Sequence, residues 1–313
     1  MHEAREGVQK VAQAAHPRAE ARESARNAMR SSGPRGNEFE MRLISPWCIA
    51  FSLSLAACGG SGTSSPDGSD GTDAGTYSLL FRDDFDAFDQ TRWQLMTHSW
   101  ASNLALFSSQ AATIENGALV IRLLPAPDGT VDPEGVAKQF LGAEVRSRDT
   151  LTYGRVRARI QFATGSAVIS SLVTIYTPWP ADNWNELDVE CLGAPPAELE
   201  YNAQVYTGPP TTPPVAQPVS PTPDVFRDTL SFDPTADFHV YTVEWTPESA
   251  RFLIDDEVRH TWTRNIALLS LPQNVLLTIW ASSSAPWAGA VTDDTGQAAA
   301  TYDWVELHRF VPR

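Results

Sequence analysis

Trp184-Asn185-Glu186-Leu187-Asp188-Val189-Glu190-Cys191-Leu192-Gly193 is the stretch whose reading decides the fold. Three acids alternate with two apolar residues, and a period of two marks a half-buried β-strand. On such a strand Glu186, Asp188 and Glu190 share one face, while Leu187 and Val189 point the other way into a core. Like charges in a row repel one another and raise at least one of their pKa values. A strand built this way is costly unless its acids have a task.

The residue pattern alone leaves three tasks open. The acids could form a solvated strand face, or hold a hard cation such as Ca²⁺ or Mg²⁺. They could also cleave a glycosidic bond, one carboxylate attacking the anomeric carbon while another protonates the leaving oxygen. The Cα atoms of Glu186 and Glu190 would stand roughly 13 Å apart at about 3.3 Å per residue. Side chains leaning together over a concave sheet would bring the carboxyls to the ~5 Å of a retaining mechanism. Asp188, between them, would hydrogen-bond the nucleophile and stage the proton.

From Tyr77 onward the chain reads as short strands separated by turn signals, the pattern of a β-sandwich. One all-β domain of about 200–250 residues fits within the chain. Hydrophobic residues make up 42% of the 313, enough for a sizeable core, and the 10 tryptophans suit a sugar-binding surface. The net charge of −15 speaks against nucleic acid and against a polyanionic substrate, leaving neutral polysaccharide as the better match. The arginines of Tyr153–Ile160 alternate strictly and read as a solvated outer face. Of three cysteines, Cys48 and Cys58 lie in or beside a targeting segment, so Cys191 has no partner for an intradomain disulfide. Following Glu190, it should turn to the apolar side as a buried thiol.

Residues 1–40 are polar and without apolar period, and read as a mis-assigned start or a disordered extension. Residues 41–58 carry Met41-Arg42, an apolar run from Leu43 to Leu55 too short to span a bilayer, and then Leu55-Ala56-Ala57-Cys58. This ending resembles a bacterial lipobox, which implies cleavage before Cys58, lipidation of its sulfur and export to the membrane. Gly59 after the cysteine points by the same resemblance to the outer membrane. Residues 59–76 are a Gly/Ser/Asp-rich tether, and 77–313 form the domain.

Glu-Leu-Asp-Val-Glu followed by Cys-Leu-Gly resembles the active-site strand of glycoside hydrolase family 16. The uninterrupted Glu-x-Asp-x-Glu spacing looks like the lichenase and xyloglucan endotransglycosylase branch, whereas the laminarinase branch typically carries one extra residue there. Other stretches resemble the family in the same order, across roughly 78–309: Leu79–Asp86 with Trp93, Ala118–Leu123, Gly142–Ser147, Phe238–Pro247, Asn274–Trp280 and Thr301–Leu307. The resemblance implies an all-β jelly roll of two curved antiparallel sheets, concanavalin A-like, with a glycan groove across the concave one. It implies Glu186 as nucleophile, Glu190 as acid and then base, and Asp188 as assisting carboxylate. Asn103, Glu144, Arg146, Trp184, Trp280 and Trp287 match cleft positions. Gln204, with Asn202 as the alternative, matches a cleft amide. Asp303 matches a residue that often holds a structural Ca²⁺. His239 falls in the Phe-His-x-Tyr stretch and reads as structural.

The function expected is a retaining endo-β-glucanase acting on a neutral, β-1,3-1,4-glucan-like polymer. It would have no organic cofactor, no nucleic-acid partner, and a membrane contact only through an N-terminal lipid, and it would be a monomer. Transglycosylation on the same chemistry and a non-catalytic glycan-binding module are the rival expectations. Asn185, Cys191 and the polar run Ala281–Ser284 depart from the family pattern, and residues 208–224 form a proline-rich insert.

Overall fold

The alternation around Glu186 is repeated by its neighbours, and the structure, a computed structural model, describes the result for residues 75–177, 183–207 and 224–313. The N-terminal segments with Cys58 and the insert from 208 to 223 lie outside the described residues.

In chain order the strands are β1 (Gly75–Asp83), β2 (Trp93–Leu95), β3 (Ala105–Phe107), β4 (Ala112–Glu115), β5 (Ala118–Arg122), β6 (Leu124–Pro125), β7 (Phe140–Leu151), β8 (Gly154–Gln161) and β9 (Val168–Tyr176). There follow β10 (Asn183–Leu192), β11 (Glu198–Thr207), β12 (Asp224–Asp228), β13 (His239–Trp245), β14 (Ala250–Ile254), β15 (Glu257–Trp262), β16 (Gln273–Ala281) and β17 (Ala299–Pro312). Gly75 and Thr76, which the sequence assigns to the tether, already belong to β1 and pair with Pro312 and Val311.

Two sheets result. One runs β15-β14-β13-β8-β17-β5-β4, with β1 added to β17. The other runs β12-β11-β10-β9-β16-β7-β2, with β3 and β6 also on β7. The pairing is antiparallel throughout except between β3 and β7. β10 lies inside the second sheet, between β9 and β11, and its register with both is unbroken from Glu186 to Leu192. The uninterrupted acid spacing is therefore realised as a regular strand without a bulge.

The core between the sheets takes the other face of each strand. Leu187, Val189 and Cys191 from β10, Tyr201 and Val205 from β11, and Leu277 and Ile279 from β16 meet Val156, Ile160, Val243 and Leu307 of the opposite sheet. Cys191 is a fully buried free thiol, and burial pushes its pKa up. Buried polar groups in this layer are partnered in ways that lock the sheets together. The Tyr302 hydroxyl of β17 donates to the Ser171 carbonyl of β9 at 2.8 Å, and the Trp93 indole donates to Asp83 at 2.8 Å.

The arginines of β8 lie on the outer face, as expected. Arg155 pairs with Glu244, Arg157 with Asp256 and Arg159 with Asp303. His239, on β13, pairs with Asp255 and stacks on Phe232, a structural role on the sheet that does not bear the acids.

Truncating Leu187, the residue that backs the acid strand, should cost about 2–5 kcal/mol of stability, as Leu→Ala does in packed cores. Urea unfolding of Leu187→Ala checks it, and a loss well under 1 kcal/mol would mean this face of β10 is not a packed core.

Candidate active site

Because β10 alternates, Trp184, Glu186, Asp188 and Glu190 emerge on the face opposite the core. They open into a cleft of about 500 Å³ whose walls come from five neighbouring strands. β7 supplies Glu144 and Arg146, β16 supplies Leu276, Thr278 and Trp280, and β9 supplies Ser171, Val173 and Ile175. β11 supplies Glu200, Asn202 and Gln204, and β12 supplies Val225. A trough running across that many strands suits a polymer better than a small molecule.

The three acids are crowded and poorly hydrated. Burial, then the neighbouring Glu190, raise the pKa of Glu186. Burial, then Glu186, hold Asp188 well above the usual carboxylate range, and burial, then Asp188 and Glu200, do the same for Glu190. Both carboxyls are raised, Glu186 to about 8; contact between the two lowers Glu186 and raises Asp188, which favours Asp188 as the holder of the shared proton. Two further observations agree. Asp188 is only 2% exposed, and its Oδ1 is buried with no N–H or O–H donor, a poor place for a negative charge. Its other oxygen accepts from Gln204 Nε2 at 3.2 Å.

Gln204 and Asn202 both line the cleft, opposite Glu186 and Asp188 respectively, so the alternatives left open by the sequence are both present and Gln204 is the one bonded to an acid. Glu144 and Arg146, both expected at the cleft, form a pair, with Arg146 Nε donating to Glu144 Oε1 at 2.8 Å. Glu144 has a second partner that the sequence reading missed: His98, from the loop after β2, whose Nε2 lies 2.9 Å from Glu144 Oε2.

Asn103 does not line the cleft. It is 1% exposed, and its Oδ1 accepts the backbone N–H of Ala105 at 2.8 Å, holding the loop. Trp100, three residues earlier, reaches the cleft from this loop, as does His98. The loop is pinned from behind by Lys138, which donates to the Trp100 and Asn103 carbonyls at 2.9 and 2.8 Å while paired with Asp132. An Asn in a loop has no sequence mark that separates turn from ligand, whereas the neighbouring tryptophan was visible all along.

The tryptophans sit at two places. Trp184 packs on Val173, Ile175 and Leu276. Trp100, Trp280 and Trp287 form a cluster, with ring centroids 5.0 Å apart for Trp100 and Trp280 and 5.8 Å for Trp280 and Trp287. Trp280 is 8% exposed, so most of its surface is covered and the open aromatic area belongs to its neighbours. Trp287 is set by a single helical turn, α1 (Ala285–Ala288), with Pro286 at its start. Gly289 ends that turn at φ +86°, where an added Cβ would also collide with Ser166. The indole N–H of Trp287 donates to Glu200 Oε2 at 2.8 Å.

Asp303, the expected cation ligand, lies on β17 in the other sheet, and its carboxylate is engaged by the Arg159 guanidinium at 2.7 Å. A cation there would have to displace a positive charge already paired, so the arrangement does not fit a calcium ligand. No cluster of three or more His, Cys, Asp or Glu suited to a metal occurs among the described residues.

A two-sheet sandwich with paired acids on a central strand, floored by hydroxyls and walled by tryptophan, defines a polysaccharide-processing protein. Residues 102–306 match the family described as Glycosyl hydrolases family 16, and the chain belongs to that family. It is 27% identical over 239 residues to a β-glucanase of Brevibacillus brevis, covering 74% of this chain and 82% of the relative. To a β-glucanase of Fibrobacter succinogenes it is 31% identical over 182 residues, covering 56% and 49%. Among solved structures, a β-1,3-1,4-glucanase (lichenase) from a mouse hindgut metagenome superposes with a TM-score of 0.61 at 24% identity, covering 75% of this chain and all of that one. An endo-β-1,3-glucanase from Pyrococcus furiosus gives 0.62 at 18%, covering 77% and all of that chain. The fold is thus common to both glucanase types.

The crowding has a consequence for stability. The folded protein binds more protons than the unfolded chain wherever pH lies between the ordinary carboxylate range, near 4, and the raised values, so stability falls as pH rises through that window. Gln mimics a protonated Glu. Glu190→Gln should therefore melt close to wild type near pH 4–5 and increasingly above it toward pH 9, measured by calorimetry. A melting difference that stays constant with pH would contradict the raised carboxyl at this position.

Proposed function

We propose that the protein is an endo-acting, retaining β-glucanase of the lichenase type, acting on a neutral β-1,3-1,4-glucan-like polymer. The observation that supports this most directly is the unbulged β10, which presents Glu186, Asp188 and Glu190 side by side in a trough bordered by tryptophan. The β-glucanase relatives and the uninterrupted acid spacing favour the lichenase type, while the fold alone is shared with β-1,3-glucanases. Within the cleft Glu144, Glu186, Asp188, Glu190 and Glu200 face Arg146 and His98, an excess of acids that disfavours a sulfated or uronic chain.

The chemistry follows from the proton assignment. Asp188 donates to Glu186 and leaves it ionised, so Glu186 attacks the anomeric carbon. Glu190 gives its proton to the departing glycosidic oxygen, the C–O bond breaks, and a glycosyl ester forms on Glu186. Glu190, now a carboxylate, takes a proton from water, which displaces Glu186 and restores the starting configuration. Arg146, held by Glu144, is placed to bond a sugar hydroxyl, as is Gln204. Trp184, Trp287 and Trp100 offer faces to the apolar sides of sugar rings. No organic cofactor enters these steps. A structural calcium at Asp303 is no part of this mechanism, given the Arg159 pair.

We further propose that the domain acts outside the cytoplasm, as a monomer tethered to the bacterial outer membrane through lipid on Cys58. The sequence Leu55-Ala56-Ala57-Cys58 and the Gly/Ser/Asp-rich stretch after it support this, and mass spectrometry of the detergent-extracted protein tests it.

For the enzyme, reducing-end release from a panel of β-glucans is the direct test. Wild type should cleave mixed-linkage glucan, and Glu186→Gln should lose at least about a thousandfold while keeping its melting temperature within a few degrees. Near-wild-type turnover by Glu186→Gln, or wild-type binding without cleavage, would contradict the assignment.

A further inference from the structure

Glu200 is an acid that the steps above do not use, although it occupies a costly position. It stands directly opposite Glu190 in the β10–β11 ladder, on the same cleft face, and is 5% exposed. Directly opposed like charges on neighbouring strands destabilise a sheet. The surroundings nevertheless hold Glu200 from two sides. Arg227 Nε of β12 donates to Oε1 at 2.5 Å, and the Trp287 indole donates to Oε2 at 2.8 Å. One carboxyl thus joins the acid strand, an edge strand and an aromatic wall of the cleft.

We propose that Glu200 is the positioning residue for the general acid: facing Glu190 across the ladder, it opposes departure of the Glu190 proton before the sugar is in place, and its second oxygen fixes the Trp287 indole in the cleft wall. This deepens the function proposed above and rests on Glu190 being the acid. The groups facing Glu190 are few. On its own strand they are Asp188 and, a step further, Glu186; on β11, Glu200 with Arg227 behind it; on β9, its register partner is the uncharged Ser171. Burial does most to oppose ionisation of Glu190, followed by Asp188 on its own strand; Glu200, directly opposite on β11, adds Coulomb repulsion in the same sense. Arg227, farther from Glu190 and half exposed, moderates that repulsion.

The two members of the Glu200–Arg227 pair therefore act on Glu190 in opposite senses. In the pH profile of kcat/KM on mixed-linkage glucan, Glu200→Gln should move the alkaline limb down by about one unit. Arg227→Met should leave it in place or move it up. Loss of a merely structural ion pair would affect both variants alike, so shifts of the same sign, or an unmoved limb in Glu200→Gln, overturn the inference. Glu200→Asp, which keeps the charge, should return the limb toward wild type even if a weakened Trp287 contact raises KM, and a limb that stays at the Glu200→Gln position also overturns it. Glu190→Gln assayed on a 2,4-dinitrophenyl β-glycoside, whose leaving group needs no proton, tests the underlying assignment separately. If the limb persists there, Glu190 is not the acid. If it vanishes there while Glu200→Gln leaves the limb of the polymer reaction unmoved, only the role of Glu200 falls.

Discussion

Carboxyl groups forced together out of water cannot all be ionised, and the rest of this structure depends on how that constraint is met. Glu186, Asp188 and Glu190 share one face of one strand, with Glu200 facing the last of them. In water such a set would carry four charges. Here burial, then mutual repulsion, raises the pKa of all three. A neutral Asp188 beside an ionised Glu186, and a protonated Glu190 beyond, are the states that a displacement followed by hydrolysis calls for.

The sandwich makes this affordable by rigidity. β10 is inside the sheet, bonded on both sides in unbroken register, and its inner face is packed into the main core. The acids therefore cannot relax apart by shifting the backbone. The hydroxyl pair Ser171 and Thr278 on the cleft floor, and Tyr302 bonding the Ser171 carbonyl from the opposite sheet, tie the floor to the other layer. Binding groups come from adjacent strands at fixed offsets, which is how a sheet places side chains more accurately than loops do.

Much of this was legible in the sequence, because period-two alternation is a local property. It identified the acid face of β10 and the buried side of Cys191, and the family likeness put Glu144 and Arg146 at the cleft. The same alternation in Glu198-Leu199-Glu200-Tyr201-Asn202-Ala203-Gln204 would have placed Glu200 on the cleft face, had the register between β10 and β11 been known. Register is a long-range property, which is why Gln204 and Asn202 could not be separated either. Loop residues were less legible still. His98 reaches Glu144 across 46 positions, and Asn103 turned inward to the Ala105 N–H while Trp100 turned to the cleft, in a loop whose carbonyls Lys138 holds from 35 and 38 positions away. At Asp303 the family likeness pointed to a cation, but the arginine that pairs with it sits 144 positions away on β8.

On the proposed function, Glu186 is the member of the trio that attacks the sugar. A 2-deoxy-2-fluoro β-glucosyl oligosaccharide with an activated leaving group would trap the glycosyl enzyme, and peptide mass mapping would locate the ester. A single adduct on Glu186 is expected. An adduct on Glu190 or Asp188, or turnover with inversion and no adduct, would contradict it.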